Sequence, residues 1–426
     1  MSKLSTLIRY IFTPKKFHSR KKIEKLQNRG MKKQVKFVRK NSPFFARHWK
    51  GFSDNQWSKF PLIDKSIMME NLSDLLTVRL DIEEAKRLAD NAEKTRDFSP
   101  KIGPYSIGYS SGTSGSRGMH FVSEKEQAEW AGFMLARGLD GSIFSKHKIG
   151  LILRANSNTF ESVGSNRIEF KFYDLMNPLE EIHESILQDN LDILIGPPSV
   201  IRYLADVKSP LKVKKLVSAA EVLDEIDRKQ IEHHFGQIVH QFYSSTEGEI
   251  AATCEHGTLH LNEEIMVIQK QWVDEEKGWY HPIISDFKRK TQPIIRYRLN
   301  DILVTSKQPC QCGDARESIE AVMGRQDDIF LLEKISGDGY EQVIPDFIRR
   351  AVMQMHPSIT AYCAIQKSVE EIEVQLLPEG LENISYDGFN QVWQKMQTKT
   401  PKISLANYTF KPSATKLRRI RRDFDL

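Results

Sequence analysis

Between residues 149 and 243 short apolar runs alternate with helical stretches, and that alternation constrains the fold more than any other feature of the chain. Ile149-Gly150-Leu151-Ile152-Leu153, Leu191-Asp192-Ile193-Leu194-Ile195-Gly196, Lys215-Leu216-Val217-Ser218 and residues 237–243 read as strands. Residues 199–206 and 222–235 carry the helical pattern between them. Strand, helix and next strand imply a right-handed crossover and a mostly parallel sheet, whose ligands gather at the carboxyl ends of the strands. Upstream, Phe60-Pro61-Leu62-Ile63 leads into a helix with Asp64 placed as its N-cap. Downstream, residues 259–304 read as mostly β, and a smaller mixed unit follows Gly324. The expected class is α/β: a large N-terminal domain of mixed sheets with crossover helices, plus a small α+β C-terminal domain. The expected divisions are 1–59, a basic helical arm and lead-in; 60–324, the large domain; and 325–426, the small one.

A chain of 426 residues suggests two or three such units. No run of 18 apolar residues is present, which argues against a transmembrane helix. The apolar patch at residues 4–12 is broken by Arg9 and lacks a small-residue cleavage site, so no secretory signal is expected. Four cysteines in this length do not make a disulfide scaffold, and the reducing cytoplasm is the expected location.

The net charge of +6 is the sum of +13 on residues 1–40 and −7 on the remainder. Such a run is first a solvated, partly helical arm, packed on the domain by Leu7, Ile8, Ile11, Phe12, Ile23 and Leu26. It also suits peripheral contact with an anionic membrane or an acidic carrier protein. No stacking platform accompanies the charge, so nucleic acid is not an expected partner. The six tryptophans are scattered and read as packing residues.

The segment Tyr109-Ser110-Ser111-Gly112-Thr113-Ser114-Gly115-Ser116-Arg117-Gly118 is almost wholly small, hydroxylic or glycine. Glycines let backbone N–H groups turn toward an anion and hydroxyls add donors, so the run is either a polyphosphate cradle or a flexible loop. Four further motifs follow in order. They are Val217-Ser218-Ala219-Ala220-Glu221, Gln241-Phe242-Tyr243-Ser244-Ser245-Thr246-Glu247-Gly248, Ile295-Arg296-Tyr297-Arg298-Leu299-Asn300-Asp301 and Gly324-Arg325-Gln326-Asp327-Asp328. The ordered set resembles the adenylate-forming superfamily of acyl-CoA synthetases, peptide-synthetase adenylation domains and luciferases, from about residue 60 to the C-terminus. The short length and the pair Cys310-x-Cys312 ahead of Gly324 are similar to the phenylacetate–CoA ligase branch. Leu153-Arg154-Ala155-Asn156-Ser157-Asn158 and Thr291-Gln292-Pro293-Ile294-Ile295-Arg296-Tyr297-Arg298 further resemble a bacterial group of adenylate-forming enzymes within it.

The resemblance implies roles residue by residue. Ser110, Ser111, Gly112, Thr113, Ser114 and Gly115 would close over the β- and γ-phosphates of ATP. Ala220 and Glu221 would border the adenine, Tyr243 would stack near it, and Ser245 belongs to the same nucleotide motif. Thr246 would touch the α-phosphate, and Glu247 would hold Mg²⁺, a hard cation suited to carboxylate and phosphate oxygens. Asp301 would accept from the ribose hydroxyls, and Arg325 would set a fixed charge beside ribose and phosphates. Asp327 matches the hinge about which the mobile C-terminal domain rotates. Two positions depart from the pattern. Arg117-Gly118 stands where Pro-Lys often ends the phosphate loop, leaving Arg117 to meet a phosphate. Lys416, in Ser413-Ala414-Thr415-Lys416-Leu417, lacks the usual preceding glycine and is the candidate C-terminal lysine of adenylation.

Cys254-Glu255-His256-Gly257-Thr258-Leu259-His260 and Cys310-Gln311-Cys312 form a second constellation. Thiolates with imidazole suit a closed tetrahedral zinc, with Cys254, His260, Cys310 and Cys312 as ligands and His256 as substitute. Cys363 reads as a core residue, and His233-His234 as surface or cap. His120 and Phe121 either border the acid pocket or lie in a core strand. The resemblance thus implies an acid–thiol ligase. It would activate a carboxylic acid, an aromatic one by analogy with the branch, as acyl-AMP and pass it to coenzyme A or the phosphopantetheine of an acyl carrier protein. Adenylyl transfer to a small molecule and a non-catalytic nucleotide-binding homologue are the alternatives.

Overall fold

The computed structural model describes residues 8, 10–110, 117–139, 145–155, 167–413 and 416–424. A twelve-stranded sheet organises the larger part. Its parallel half runs Ile168–Asp174, His147–Leu153, Ile193–Gly196, Lys215–Ser218, Val239–Ser245. Helices Leu179–Asp189, Pro198–Asp206 and Glu225–Phe235 supply the crossovers. The last of these is capped by the Asp224 carboxylate, which accepts from Ile226 N at 3.1 Å, and ends at Gly236 with φ 66°. The four expected strands pair in this half with the two expected helices between them, and Ile168–Asp174 and Leu179–Asp189 are additional to the expectation.

Beyond Val239–Ser245 the sheet turns antiparallel through Gly248–Thr253, Leu259–Leu261, Ser318–Arg325, Asp301–Thr305, Trp279–Asp286 and Met266–Asp274. The seam between the halves is the hairpin of Val239–Ser245 and Gly248–Thr253, whose turn is Thr246-Glu247. A turn at a change of sheet polarity has its side chains and backbone groups outside the ladder, where a ligand can meet them. A separate three-stranded sheet of Lys101–Ile102, Tyr105–Tyr109 and Met119–Ser123 brings Ser110 and Arg117 to the same side.

From Phe330 onward a second hydrophobic cluster forms around Phe330, Ile348, Tyr362, Ile372, Phe389 and Trp393. It is built from a four-stranded mixed sheet, Lys402–Asn407, Glu371–Leu377, Ala361–Ser368 and Ile420–Arg422, covered by helices Pro345–Met355 and Asp387–Met396. Cys363 is buried there, and His234 at the end of its helix bonds the Ser209 carbonyl at 3.0 Å.

The basic arm packs differently from the expectation. Ile8, Phe12 and Leu26 are exposed, Leu7 lies outside the described residues, and only Ile11 and Ile23 of the expected set pack inward. The helix Arg20–Asn41 instead buries Ile23, Gln27, Met31, Gln34, Val35 and Val38. Met31, Val35 and Val38 share one cluster with Phe45, Trp49, Leu261 and Tyr280 of the lead-in and sheet. Two glutamines interrupt the apolar stripe, which hides it from a hydrophobic count. Gln27 Nε2 donates to Met266 O at 3.0 Å and Gln34 Nε2 donates to Arg289 O, so both are satisfied in the interior. The cations Lys21, Lys22, Lys25, Arg29, Lys32, Lys33, Lys36 and Lys40 remain on the outer face.

Candidate active site

The carboxyl ends of the parallel strands open into a cavity of about 1120 Å³. Ala220 and Glu221 follow one strand, Thr246 and Glu247 another, and residues 416–420 of the C-terminal unit form part of its wall. The four motifs beyond the phosphate run, distant in sequence, thus meet around one space.

On one side Tyr243 OH donates to Asp301 Oδ2 at 2.7 Å, and Arg325 Nε lies 3.8 Å from Asp301 Oδ1. Burial pushes the Asp301 carboxyl above its ordinary range, while the Arg325 charge and the Tyr243 hydroxyl oppose it. Burial, with the neighbouring Asp301, also raises the Tyr243 phenol, which stays a donor. Ala220 holds φ 69°, a left-handed backbone that β-carbons disfavour, in the turn opening the site. Glu221 Oε2 accepts from Ser199 N at 3.4 Å and Oε1 from Leu417 N at 3.0 Å. One buried carboxyl therefore ties the large domain to the loop that carries Lys416.

At the seam, Glu247 Oε1 accepts from Tyr297 OH at 3.0 Å and Oε2 from Thr246 Oγ1 at 3.0 Å. Ser245 Oγ accepts from Glu247 N at 3.2 Å, which fixes the turn. The carboxylate is held by two neutral hydroxyls, leaving lone pairs for a hard cation.

Lys416 reaches the same cavity. Burial, with the Arg325 charge nearby, lowers its pKa from 10.5 to about 8, against the pull of Glu221 and Asp301. The segment after it is anchored on both domains: Arg418 pairs with Asp328, and Arg419 makes two 2.7 Å bonds to Asp227 of the large domain. Asp327 lies in the one-turn helix Gln326–Asp328 directly after Gly324, whose φ is 121°, and accepts from Asn300 Nδ2 at 2.6 Å.

Ser110 lines the cavity, and residues 111–116, hence Ser111, Gly112, Thr113, Ser114 and Gly115, lie outside the described residues. The base of that loop is closed by Ser110 N donating to Gly118 O at 2.7 Å and Gly118 N donating to Ser110 Oγ at 2.9 Å. Arg117 forms a two-pronged ion pair with Glu93 and stacks 4.6 Å over Tyr109, so its guanidinium is engaged at the loop base.

Two cavity residues, Lys65 and Arg289, are not singled out by sequence reasoning, and His120, expected either in the acid pocket or in a core strand, lines the cavity. Lys65, the first residue of helix Lys65–Glu70, lines the cavity, with its Cε 3.3 Å from where a β-carbon on Gly118 would stand. Burial lowers its pKa, while Glu247 opposes that shift. The cue was the missing cation at the loop end together with the Asp64 cap, which accepts from Ile67 N at 2.9 Å and fixes Lys65 in the first turn. His120 faces the cavity and Phe121 the core, as alternate residues of one strand must. Burial, then the Arg289 charge, lowers His120 to about 4, so the ring is neutral; Gly108 leaves room for it. Arg289 donates to Thr246 O and, at 2.9 Å, to Gln292 Oε1, steadying the turn from behind. The tryptophan expectation also needs correction. Trp49 and Trp393 are core, Trp272 is exposed, and Trp130 lines the cavity beside Glu249.

The cysteine constellation assembles elsewhere, around the interior strand Leu259–Leu261 and the turn that precedes it. One ligand atom each from Cys254, His260, Cys310 and Cys312 lies within 4.8 Å of the others. Cys254 Sγ and Cys310 Sγ are 3.7 Å apart, and Cys312 Sγ and His260 Nε2 are 3.3 Å apart. Zinc–sulfur bonds of about 2.3 Å give a tetrahedral edge of roughly 3.8 Å, close to the sulfur separation. His260 Nδ1 is 3.3 Å from Arg316 O, so a proton there leaves Nε2 as the free lone pair. His256 is exposed and stays out of the set; its backbone N–H donates to Cys254 Sγ at 3.4 Å.

No protein-family model matches the sequence, and no curated protein matches it. Solved structures do. The 2-hydroxyisobutyryl-CoA ligase in its postadenylation state, in complex with R3-HIB-AMP, is 15% identical with a TM-score of 0.70, covering 96% of this chain and 91% of that one. The same ligase with 2-HIB-AMP and CoA in the thioesterification state gives 0.55 at the same identity and coverage. ATP-bound MatB from Rhodopseudomonas palustris is 13% identical with a TM-score of 0.50, covering 73% of this chain and 66% of that one.

Proposed function

We propose that this chain, which has the fold of the adenylate-forming acid–CoA ligases, is an ATP-dependent acid–thiol ligase. The observation that carries the proposal is the convergence of Thr246, Glu247, Asp301, Arg325 and Lys416 on one cavity at the carboxyl ends of the parallel strands. A substrate carboxylate oxygen attacks the α-phosphorus of ATP, the bond from that phosphorus to the bridging oxygen breaks, and pyrophosphate leaves. A thiol then attacks the acyl carbon and AMP departs with the electron pair of the cleaved C–O bond.

Two anions must meet in the first step, so the site has to neutralise and align them. On this reading Asp301 and Tyr243 hold the ribose, Ala220 and Glu221 border the adenine, and Lys416 with Arg325 faces the phosphates. Lys65 takes the place of the lysine missing at the end of the loop, supported by its Cε beside Gly118. Mg²⁺ would be held by Glu247, and bound there it supplies charge neutralisation for the phosphates. Zn²⁺ would be held by Cys254, His260, Cys310 and Cys312 as a closed structural staple. Asp327 would serve as the hinge. The acid is aromatic on this reading, supported by Trp130, Phe133 and Phe242 in the cavity wall. Coenzyme A or a carrier-bound phosphopantetheine is the acceptor, and the exposed cations of the helix Arg20–Asn41 suit an acidic carrier.

The test is pyrophosphate release from ATP across aryl, fatty and amino acids, with mass spectrometry of the nucleotide product. Acid-dependent release with an acyl-AMP mass is the expected result. AMP attached to a non-acyl acceptor, or no release with any acid, would overturn it.

A further inference from the structure

Resting on the ligase reading, the cavity contains a polar group that none of the nucleotide roles uses. Glu249 opens the strand Gly248–Thr253, two residues beyond Glu247, and is only 3% exposed while lining the cavity. Its Oε1 accepts from Trp130 Nε1. Among the described residues no donor reaches Oε2, and no described cation is paired with the carboxyl. Phe133 and Trp130 from the helix Glu124–Gly138, Phe242 from the adjoining strand, and Ile265 line the same cavity, together with the polar His120, Gln127, Glu129, Asp286 and Arg289. With Oε1 taken by Trp130, Oε2 is the acceptor that this carboxyl has left to offer a ligand in the cavity.

We propose that Glu249, oriented by Trp130, is the specificity determinant of the acid pocket, and that the acid carries a hydroxyl at the end remote from its reacting carboxylate. A hydroxyl fits because it donates to either form of the carboxyl and also accepts from the protonated one. Aromatic side chains with a few placed polar groups are the usual make-up of a small-ligand pocket, the polar groups setting orientation and selectivity.

The experiment pairs acids that differ only by OH against CH₃: 3- and 4-hydroxybenzoate with the toluates, and 4-hydroxyphenylacetate with 4-methylphenylacetate. Each is measured for pyrophosphate release and for binding by calorimetry, with wild type, Glu249→Leu and Glu249→Gln. In wild type at least one hydroxy acid is expected to exceed its methyl partner by about 10²-fold or more in kcat/KM, because a site built to bond a hydroxyl strands its own polar group when the hydroxyl is missing. Glu249→Leu should bring that ratio to about one or below while keeping turnover of the methyl acid. Glu249→Gln, which keeps the shape and a polar end, should retain part of the preference, and its retention separates loss of the contact from loss of folding. Equal use of both partners by wild type, or a preference that survives Glu249→Leu, overturns the assignment. Selective binding without pyrophosphate release would overturn the ligase reading and leave the pocket assignment standing; release without selectivity would do the reverse.

Discussion

Replacing Lys416 with Met should separate catalysis from stability in opposite directions. The side chain sits in the cavity wall with its pKa lowered from 10.5 to about 8, by burial first and by Arg325 second. That displacement means the fold disfavours the ammonium by about 3 kcal/mol relative to the unfolded chain. The sign follows from proton counts: between pH 8 and 10.5 the unfolded chain binds more protons at this residue than the folded one, so stability rises with pH across that window. Below pH 8 the cost is present in full. Lys416→Met keeps the apolar stem and removes the charge, so the apo variant should be more stable than wild type at pH 7, by up to about 3 kcal/mol. The gain should vanish by about pH 10.5. Adenylation should fall by about 10²–10³-fold, the loss expected when one preorganised charge facing the transition state is removed. Transfer from chemically supplied acyl-AMP to thiol should fall far less. Urea unfolding at pH 7 and 10, with the two half-reactions assayed separately, tests all of this. A variant no more stable than wild type at pH 7, or one that adenylates at full rate, would refute the reasoning. ATP should also raise the Lys416 pKa, which calorimetry at pH 9 in buffers of differing ionisation enthalpy would register as proton uptake.

Three further outcomes are expected. Asp301→Asn keeps a partner for the Tyr243 hydroxyl, which lies 2.7 Å away, but loses the charge facing Arg325; the KM for ATP should rise about tenfold or more, read by varying ATP at saturating acid. Metal analysis should find one zinc per chain, and Cys312→Ser should abolish it and lower the unfolding temperature, with pyrophosphate release at low temperature largely kept. Reversing Lys25, Arg29, Lys32 and Lys36, all on the outer face of the helix Arg20–Asn41, should slow acyl transfer to a carrier protein in a salt-dependent way. AMP formation should be unchanged, and transfer that persists at moderate salt would remove the arm from carrier docking.

How much of this was legible in the sequence depended on whether the signal was local. Four of the five parallel strands rest on short apolar runs and their intervening helices, a pattern written in consecutive residues, and their pairing follows it. The edge strand Ile168–Asp174 and the helix Leu179–Asp189 lie outside that reading, because the strand alternates apolar with charged residues. The caps at Asp64 and Asp224 are local in the same sense, although only Asp64 was read. The basic arm misled because charge is visible at a glance while burial is not. Gln27 and Gln34 occupy core-facing positions whose amide partners, Met266 O and Arg289 O, lie more than two hundred residues away. A stripe read for apolar residues alone breaks at those two positions.

The site divides along the same line. Motif residues announce themselves because each stands in a short unusual run, and five of them gather where the fold brings strand ends together. Lys65, Arg289, Trp130 and Glu249 stand in no such run. Each acquires a role only from a residue remote in sequence: Gly118 for Lys65, the Thr246 carbonyl for Arg289, and Trp130 and Glu249 from one another. On the ligase reading, the nucleotide half of the cavity would handle a ligand of fixed chemistry and so keep recognisable residues. The acid half would handle the variable partner with single side chains drawn from separate elements. That asymmetry would let a sequence of this kind disclose the reaction before the acid, and it makes the buried carboxyl of Glu249 the place to test the choice of acid.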